Sequence, residues 1–238
     1  MSYSKYYLYK KQVSNDGGVT WVDVTPLETA PSGDPIATYA TLEECQGQSP
    51  SYSGQYLTFV AQENQTFKFT PQNSNVISYS TDSGTTWTQG NSVSVNNGQK
   101  VMWKGTMTPA FYGIGSFSGS TGRFTVEGNI MSLLYDDNFE NKTSLASTYH
   151  TFRELFQDCS GLTSAEKLSL PATILSSWCY LNMFARCTSL TKAPQLPATT
   201  LVSWCYSAMF LGCTSLTTAP ALPATTLADL CYDGMFRG

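Results

Sequence analysis

Charge is what this sequence most lacks. Only 13% of its 238 residues are Asp, Glu, Lys or Arg, about half the share usual in globular chains. The 13 basic residues are scattered and the net charge is −4. Nucleic acid is held by clustered Lys and Arg, so that partner is not expected. A single histidine leaves little for a zinc site, and no Cys-x-x-Cys occurs. No apolar run approaches the ~18 residues that read as a membrane span, so membrane insertion is not expected. Phosphate-binding loops and dinucleotide fingerprints are also missing; Gly113-Ile114-Gly115 lies among Ser- and Gly-rich turns. The N-terminus, Met1-Ser2-Tyr3-Ser4-Lys5-Tyr6-Tyr7, lacks the apolar stretch of a secretory leader. It reads as the start of a protein made in a cytoplasm. No cofactor is implied.

What replaces charge is neutral polarity. Ser and Thr make up about a quarter of the chain, and aromatics reach 13%, too many for a disordered segment. The last third is repetitive. Leu170-Pro171-Ala172-Thr173 recurs at Leu196 and Leu222, Cys179-Tyr180 at Cys205 and Cys231, and Met183-Phe184 at Met209 and Met235, each in steps of 26. A degenerate earlier copy, Phe152, Leu155-Phe156 and Cys159, is offset by 28, which implies two residues inserted near Lys167-Leu168. Within one unit Cys179, Met183, Phe184 and Cys187 fall at i, i+4, i+5 and i+8, which predicts one face of a short helix. Pro194 and Pro197 then keep the following stretch extended. Strand–turn–helix units that cannot bury their own apolar faces predict a solenoid. Cys159, Cys179, Met183, Phe184, Cys187, Cys205, Met209, Phe210, Cys213 and Cys231 would be its core.

Residues 1–137 read differently. Alternating aromatic and β-branched positions with turn punctuation predict strands. A hairpin is expected around Asn15-Asp16-Gly17-Gly18, leading into Val19–Val24. A loop at Pro31–Pro35, a short strand and helical turn over Thr38–Cys45, and a linker from Gln46 follow. Seven short strands between Tyr56 and Val126 then predict a small β-sandwich. The expected organisation is therefore a hairpin module (1–46), a β-sandwich (47–137) and an α/β leucine-rich-repeat solenoid (138–238). The next cysteine of the Cys187/Cys213 column would fall just past Gly238. The array is thus expected to be cut off inside a repeat, or to stack its open end on something else.

These repeats resemble the BspA-like leucine-rich repeats of surface-living microbes, over about residues 139–238. The family usually has Ala-Phe where this chain has Met-Phe, and a shorter period. The run Tyr6–Gly18, with Thr20–Val24 and Ala37–Cys45, resembles a module of virion proteins from Bacteroides-infecting, crAss-like phages. Ser14-x-Asp16-x-Gly18-x-Thr20-Trp21 and Ser80-x-Asp82-x-Gly84-x-Thr86-Trp87 resemble the Asp-boxes of sialidases and other secreted β-proteins. Asp there accepts backbone N–H groups inside the turn and Gly takes a positive φ. A self-stabilised hairpin is the expectation, because a sialidase centre needs clustered arginines and this chain has only Arg123, Arg153, Arg186 and Arg237. The odd number of cysteines rules out a complete disulfide framework, so the columns are expected buried and reduced. His150 is expected on the surface or as a cap. Asp136-Asp137-Asn138 is expected to cap the entry into the repeats.

Trp178, Tyr180, Trp204, Tyr206 and Tyr232 recur in register. They could form a row that stacks on sugar or protein, or be buried between turns. The expected function is a non-enzymatic virion structural and adhesion protein of the fibre type. It would join other virion proteins through its N-terminal part and meet a host-surface glycan or protein through the repeats. Many weak contacts favour a homo-oligomer, with a trimer the leading symmetry. The alternatives are a secreted bacterial surface adhesin and, from the Asp-boxes alone, a carbohydrate-active protein.

Overall fold

The computed structural model describes residues 55–120 and 122–238, and before them only the strands Gln12–Val13 and Val22–Asp23. The chain divides into two units, Met1–Ser51 and Tyr52–Gly238. In the first, β1 (Gln12–Val13) and β2 (Val22–Asp23) pair antiparallel, Gln12 opposite Asp23 and Val13 opposite Val22. These flank the turn expected at Asn15–Gly18. The first Asp-box itself (Ser14, Asp16, Gly18, Trp21), the Pro31–Pro35 loop and the Thr38–Cys45 segment lie outside the described residues.

In the second unit alternation sets the strands. On β3 (Leu57–Ala61), Leu57, Phe59 and Ala61 turn inward; on β9 (Lys100–Gly105), Val101 and Trp103 do. Between them in sequence lie β4 (Gln65–Lys68), β5 (Thr70–Pro71), β6 (Ile77–Ser80), β7 (Thr88–Gln89) and β8 (Ser92–Val95); β10 (Gly115–Ser116) and β11 (Phe124–Asn129) follow. The strands do not form the expected two-sheet sandwich. One open six-stranded sheet runs β12-β11-β3-β9-β6-β7, where β12 is Leu162–Ser169 from the first repeat. Two-stranded ribbons, β4-β8 and β10-β5, complete the set. The sheet's apolar face is covered by unlike pieces. Phe59 meets Phe67 of β4 at 5.1 Å, Phe117 at 4.6 Å and Phe156 of the first repeat at 5.9 Å. One continuous core therefore runs from Leu57 to Met235. After β11 the chain makes a single short helix, α1 (Ser132–Tyr135), and a 3-10 turn, Asp136–Asn138.

Strand β12 is the joint between sheet and repeats. It pairs parallel with β11, and the register slips by one residue twice, from Phe124↔Leu162 to Thr125↔Ser164 to Glu127↔Lys167. The other edge of β12 meets the next repeat, with Ser164 bridging Lys192 and Ala165 N–H donating to Lys192 O at 2.9 Å.

The α/β leucine-rich-repeat solenoid does not form. No residue from 139 to 238 is helical. Each expected helix is instead a ribbon of consecutive turns. Within Trp178–Cys187, the N–H groups of Leu181, Met183, Ala185 and Cys187 each reach back three residues, at 3.0–3.2 Å. The alternate N–H groups, of Trp178, Tyr180, Asn182, Phe184 and Arg186, leave the ribbon and donate to Ser203, Cys205, Ser207, Met209 and Leu211 of the next one. An α-helix would use every N–H internally. Every fourth residue takes a positive φ: Trp178, Asn182 and Arg186, then Trp204, Ala208 and Gly212. The residues after each kink point inward, Cys179-Tyr180, Met183-Phe184, Cys187. The true period is four. A helix advances about 100° per residue, so over eight residues its face would drift by about 80°; the ribbon does not drift.

Candidate binding face

Stacking identical ribbons aligns identical side chains. Phe156, Phe184, Phe210 and Phe236 form one column, with ring centroids 5.3, 5.5 and 5.7 Å apart and planes within 15°. Phe152, Tyr180, Tyr206 and Tyr232 form a second, at 5.7, 5.6 and 6.0 Å. The expected core residues Cys159, Cys179, Met183, Cys187, Cys205, Met209, Cys213 and Cys231 are buried beside them. All six cysteines among the described residues are free. Three thiols donate upward, Cys159 to Phe117 O at 3.3 Å, Cys187 to Phe156 O at 3.0 Å and Cys213 to Phe184 O at 3.0 Å. Burial pushes the thiols of Cys159, Cys179, Cys187, Cys205 and Cys213 up, the last two to about 11.

The row of Tyr and Trp therefore splits between the two alternatives. Tyr180 and Tyr206 are inside, at 0% and 1% exposure, because the residue after each inward cysteine belongs to the same inward pair. Tyr232 is half-buried at the end of their column. Trp178 and Trp204, at the kinks, are likewise half-buried.

Trp178 is part of a larger aromatic ledge. His150 lies flat on it, 4.9 Å away and 9° from parallel. Phe111 leans on His150 at 5.1 Å, Tyr112 meets Phe111 edge-on at 4.9 Å, and the Arg153 guanidinium sits 5.1 Å from the Tyr112 ring. Phe111, Tyr112 and Tyr149 are 66%, 55% and 64% exposed. Against the ledge lies a cleft of about 500 Å³ between Thr108–Phe111 and Ser147–His150. His150, expected as a surface or capping residue, is half-buried. Burial first, and then the Arg153 charge, hold its pKa below the usual imidazole value. Phe111 and Tyr112 are not singled out by the sequence reading; their signal is Phe111-Tyr112-Gly113, two aromatics before a residue that can turn sharply.

Gly113 explains why the ledge sits there. Its φ is +84°, and a Cβ on it would come within 2.9 Å of Arg153 O and 3.0 Å of His150 O. Only glycine lets Ala110–Phe117 lie directly on the first ribbon. Phe117 completes the contact, its N–H donating to Leu155 O at 2.8 Å and its ring stacking on Phe156 at 5.8 Å. This segment closes the head of the stack, the role expected of Asp136-Asp137-Asn138. Those acids instead serve Lys104, with Asp136 at 2.8 Å and Asp137 at 2.6 Å. The Tyr56 hydroxyl donates to Asp137 at 2.8 Å, and burial plus that bond raise its pKa to about 12.

The second Asp-box is a closed hydrogen-bond knot. Asp82 Oδ1 accepts from Ser80 Oγ at 2.7 Å and Thr86 N–H at 2.9 Å, and Oδ2 from Thr86 Oγ1 at 2.6 Å. Gly84, at φ +87°, donates its N–H to Ser80 Oγ at 2.9 Å. The Thr86 and Ser80 bonds hold the Asp82 carboxyl down at about 2. Trp87 packs on Tyr56 at 4.9 Å beneath the Lys104 ammonium, 4.5 Å from its ring. Both carboxylate oxygens are committed to the turn. Among the described residues no cluster of His, Cys, Asp and Glu is placed to hold a metal, and no helix is long and apolar enough to cross a membrane. Comparison with protein-family models, curated proteins and solved structures finds no match to this chain.

Proposed function

We propose that this chain is a non-enzymatic attachment protein of a virus particle that binds a host-surface glycan on the ledge of Phe111, Tyr112, Tyr149, His150 and Trp178. One observation carries the glycan reading. Phe111 and Tyr149, both more than half exposed, line one cleft together with Ser147 and Thr148, and the equally exposed Tyr112 packs edge-on against Phe111. Pyranose rings offer a flat C–H face that stacks on such rings while their hydroxyls bond nearby polar groups. The virion reading rests on the N-terminal run that resembles phage virion modules. Particle proteins there would be joined by the N-terminal part. A homo-oligomer, a trimer in the leading case, would present several ledges and gain avidity from weak single sites.

Two experiments test the parts separately. Tryptophan fluorescence of the intact protein is followed against a panel of bacterial surface oligosaccharides. Saturable quenching that Phe111→Ser abolishes and Trp204→Ala leaves in place supports the ledge; no response to any glycan overturns it. Mass spectrometry of purified particles tests the setting, and absence of this polypeptide from infectious particles returns the reading to a bacterial surface adhesin.

A further inference from the structure

Charge is as scarce at the ledge as in the chain at large. Of the residues lining its cleft, Thr108–Phe111 and Ser147–His150, none is Asp, Glu, Lys or Arg. Thr108, Ser147 and Tyr149, each an exposed residue of the cleft walls, carry hydroxyls. A hydroxyl both donates and accepts. Sugar hydroxyls do the same, so the two sets pair without any charged partner. His150 adds no charge either. Its Nδ1 is buried without a hydrogen-bond partner, and a protonated ring would hold an unpaired N–H there. Burial and the Arg153 charge favour the neutral imidazole in the same direction.

Arg153 is the cation that packs on these rings, and it is already engaged. Its Nε and Nη2 both lie 3.0 Å from Glu154 Oε1, and its Nη1 donates to Phe111 O at 3.4 Å. The guanidinium itself sits against the Tyr112 and Phe111 rings, 5.1 and 5.7 Å from their centroids. Only 17% of the Arg153 side chain is exposed. A ligand anion would have to break the pair with Glu154 to use it, leaving that carboxylate without its partner.

We infer, resting on the glycan reading above, that the ledge selects uncharged sugars: hexoses and N-acetylated amino sugars, not uronic, sialic or phosphorylated residues. A carboxylate or phosphate moved from water into this cleft loses hydration and meets no free cation on its walls. A free amine fares no better, because no carboxylate lines the cleft. The chain's net charge of −4 adds a general repulsion of anions.

Matched pairs of ligands test this. Uronate-bearing oligosaccharides from bacterial capsules are used as isolated and after reduction of each carboxyl to the alcohol, which keeps the ring and the linkage and removes the charge. In tryptophan-fluorescence titrations of the intact protein at neutral pH, the reduced member should bind at least about tenfold tighter. Its affinity should change less than about twofold when NaCl is raised about tenfold. Ser147→Lys, which sets an ammonium at the cleft, should narrow the gap between the two members to about threefold or less. An acidic member that binds as tightly as its reduced partner, or a gap unmoved by Ser147→Lys, overturns the inference and leaves the ledge a glycan site. No response from either member of any pair overturns the ledge reading itself, and the selectivity with it.

Discussion

Replacing Tyr180 by Phe should make the protein more stable, not less. Tyr180 is fully buried, sandwiched between Phe152 at 5.7 Å and Tyr206 at 5.6 Å. Its hydroxyl has no hydrogen-bond partner, and neither have those of Tyr206 and Tyr232. A buried polar group left unpaired costs about 1–3 kcal/mol. Removing one oxygen deletes that cost and gives up little packing, since the ring stack is unchanged. The column itself shows that phenylalanine fits, because its first member is Phe152. We therefore expect Tyr180→Phe to raise unfolding stability by about 1 kcal/mol, equivalent to an upward Tm shift of about 2–4 °C in a chain of this size. Tyr206→Phe should act alike and Tyr232→Phe less, since its ring is only half-buried. Urea unfolding with an unchanged m-value is the assay. The reverse change, Phe152→Tyr, should cost stability. A loss of about 1 kcal/mol or more in Tyr180→Phe would refute the reasoning and mean that ordered water bridges the hydroxyls.

Two further outcomes follow from the same packing. The column thiols are buried and held protonated, so a thiol reagent at pH 8 should modify none of Cys159, Cys179, Cys187, Cys205 or Cys213 until the protein is denatured; fast reaction of several, or disulfides between them, would contradict the stacked ribbons. Asp82 is held at about 2 by Thr86 and Ser80, below its ordinary 3.8. The stability it contributes is fully present above pH 3.8 and is lost as pH falls toward 2; Asp82→Ala should remove that acid dependence in thermal melts while leaving binding on the ledge unchanged.

Much of this architecture could be read from the residues. The 26-residue step placed the aromatic and cysteine columns, because stacking brings equal positions together whatever each unit's conformation. The strand runs near Tyr56–Ala61, Ser92–Val95 and Lys100–Lys104 were legible from alternation, which depends only on one face being buried. The partners of those strands were not. Pairing of β11 with β12 joins segments about forty residues apart, and nothing local in Leu162–Ser169 says that it completes a sheet rather than a repeat. The expected sandwich failed for that reason: the first ribbon and β4-β8 cover the sheet, so no second sheet is needed.

The helix was the instructive error. Cys179, Met183, Phe184 and Cys187 satisfy both a 3.6-residue face and a four-residue turn ribbon, and ten residues are too few to separate the two by periodicity alone. The separating signal lay at the kink positions. A helix asks nothing special of every fourth residue, but a ribbon needs each to accept a positive φ. Asp158, Asn182, Gly212 and Gly234 all stand in that phase, and they are the residue types that tolerate it best. The same phase buries Tyr180 and Tyr206 and leaves Trp178 and Trp204 half-buried, so the register row is inside in part. It also joins the repeats: in a helix most N–H groups would be consumed internally, whereas a ribbon spends only every second one on itself and donates the others to the next ribbon.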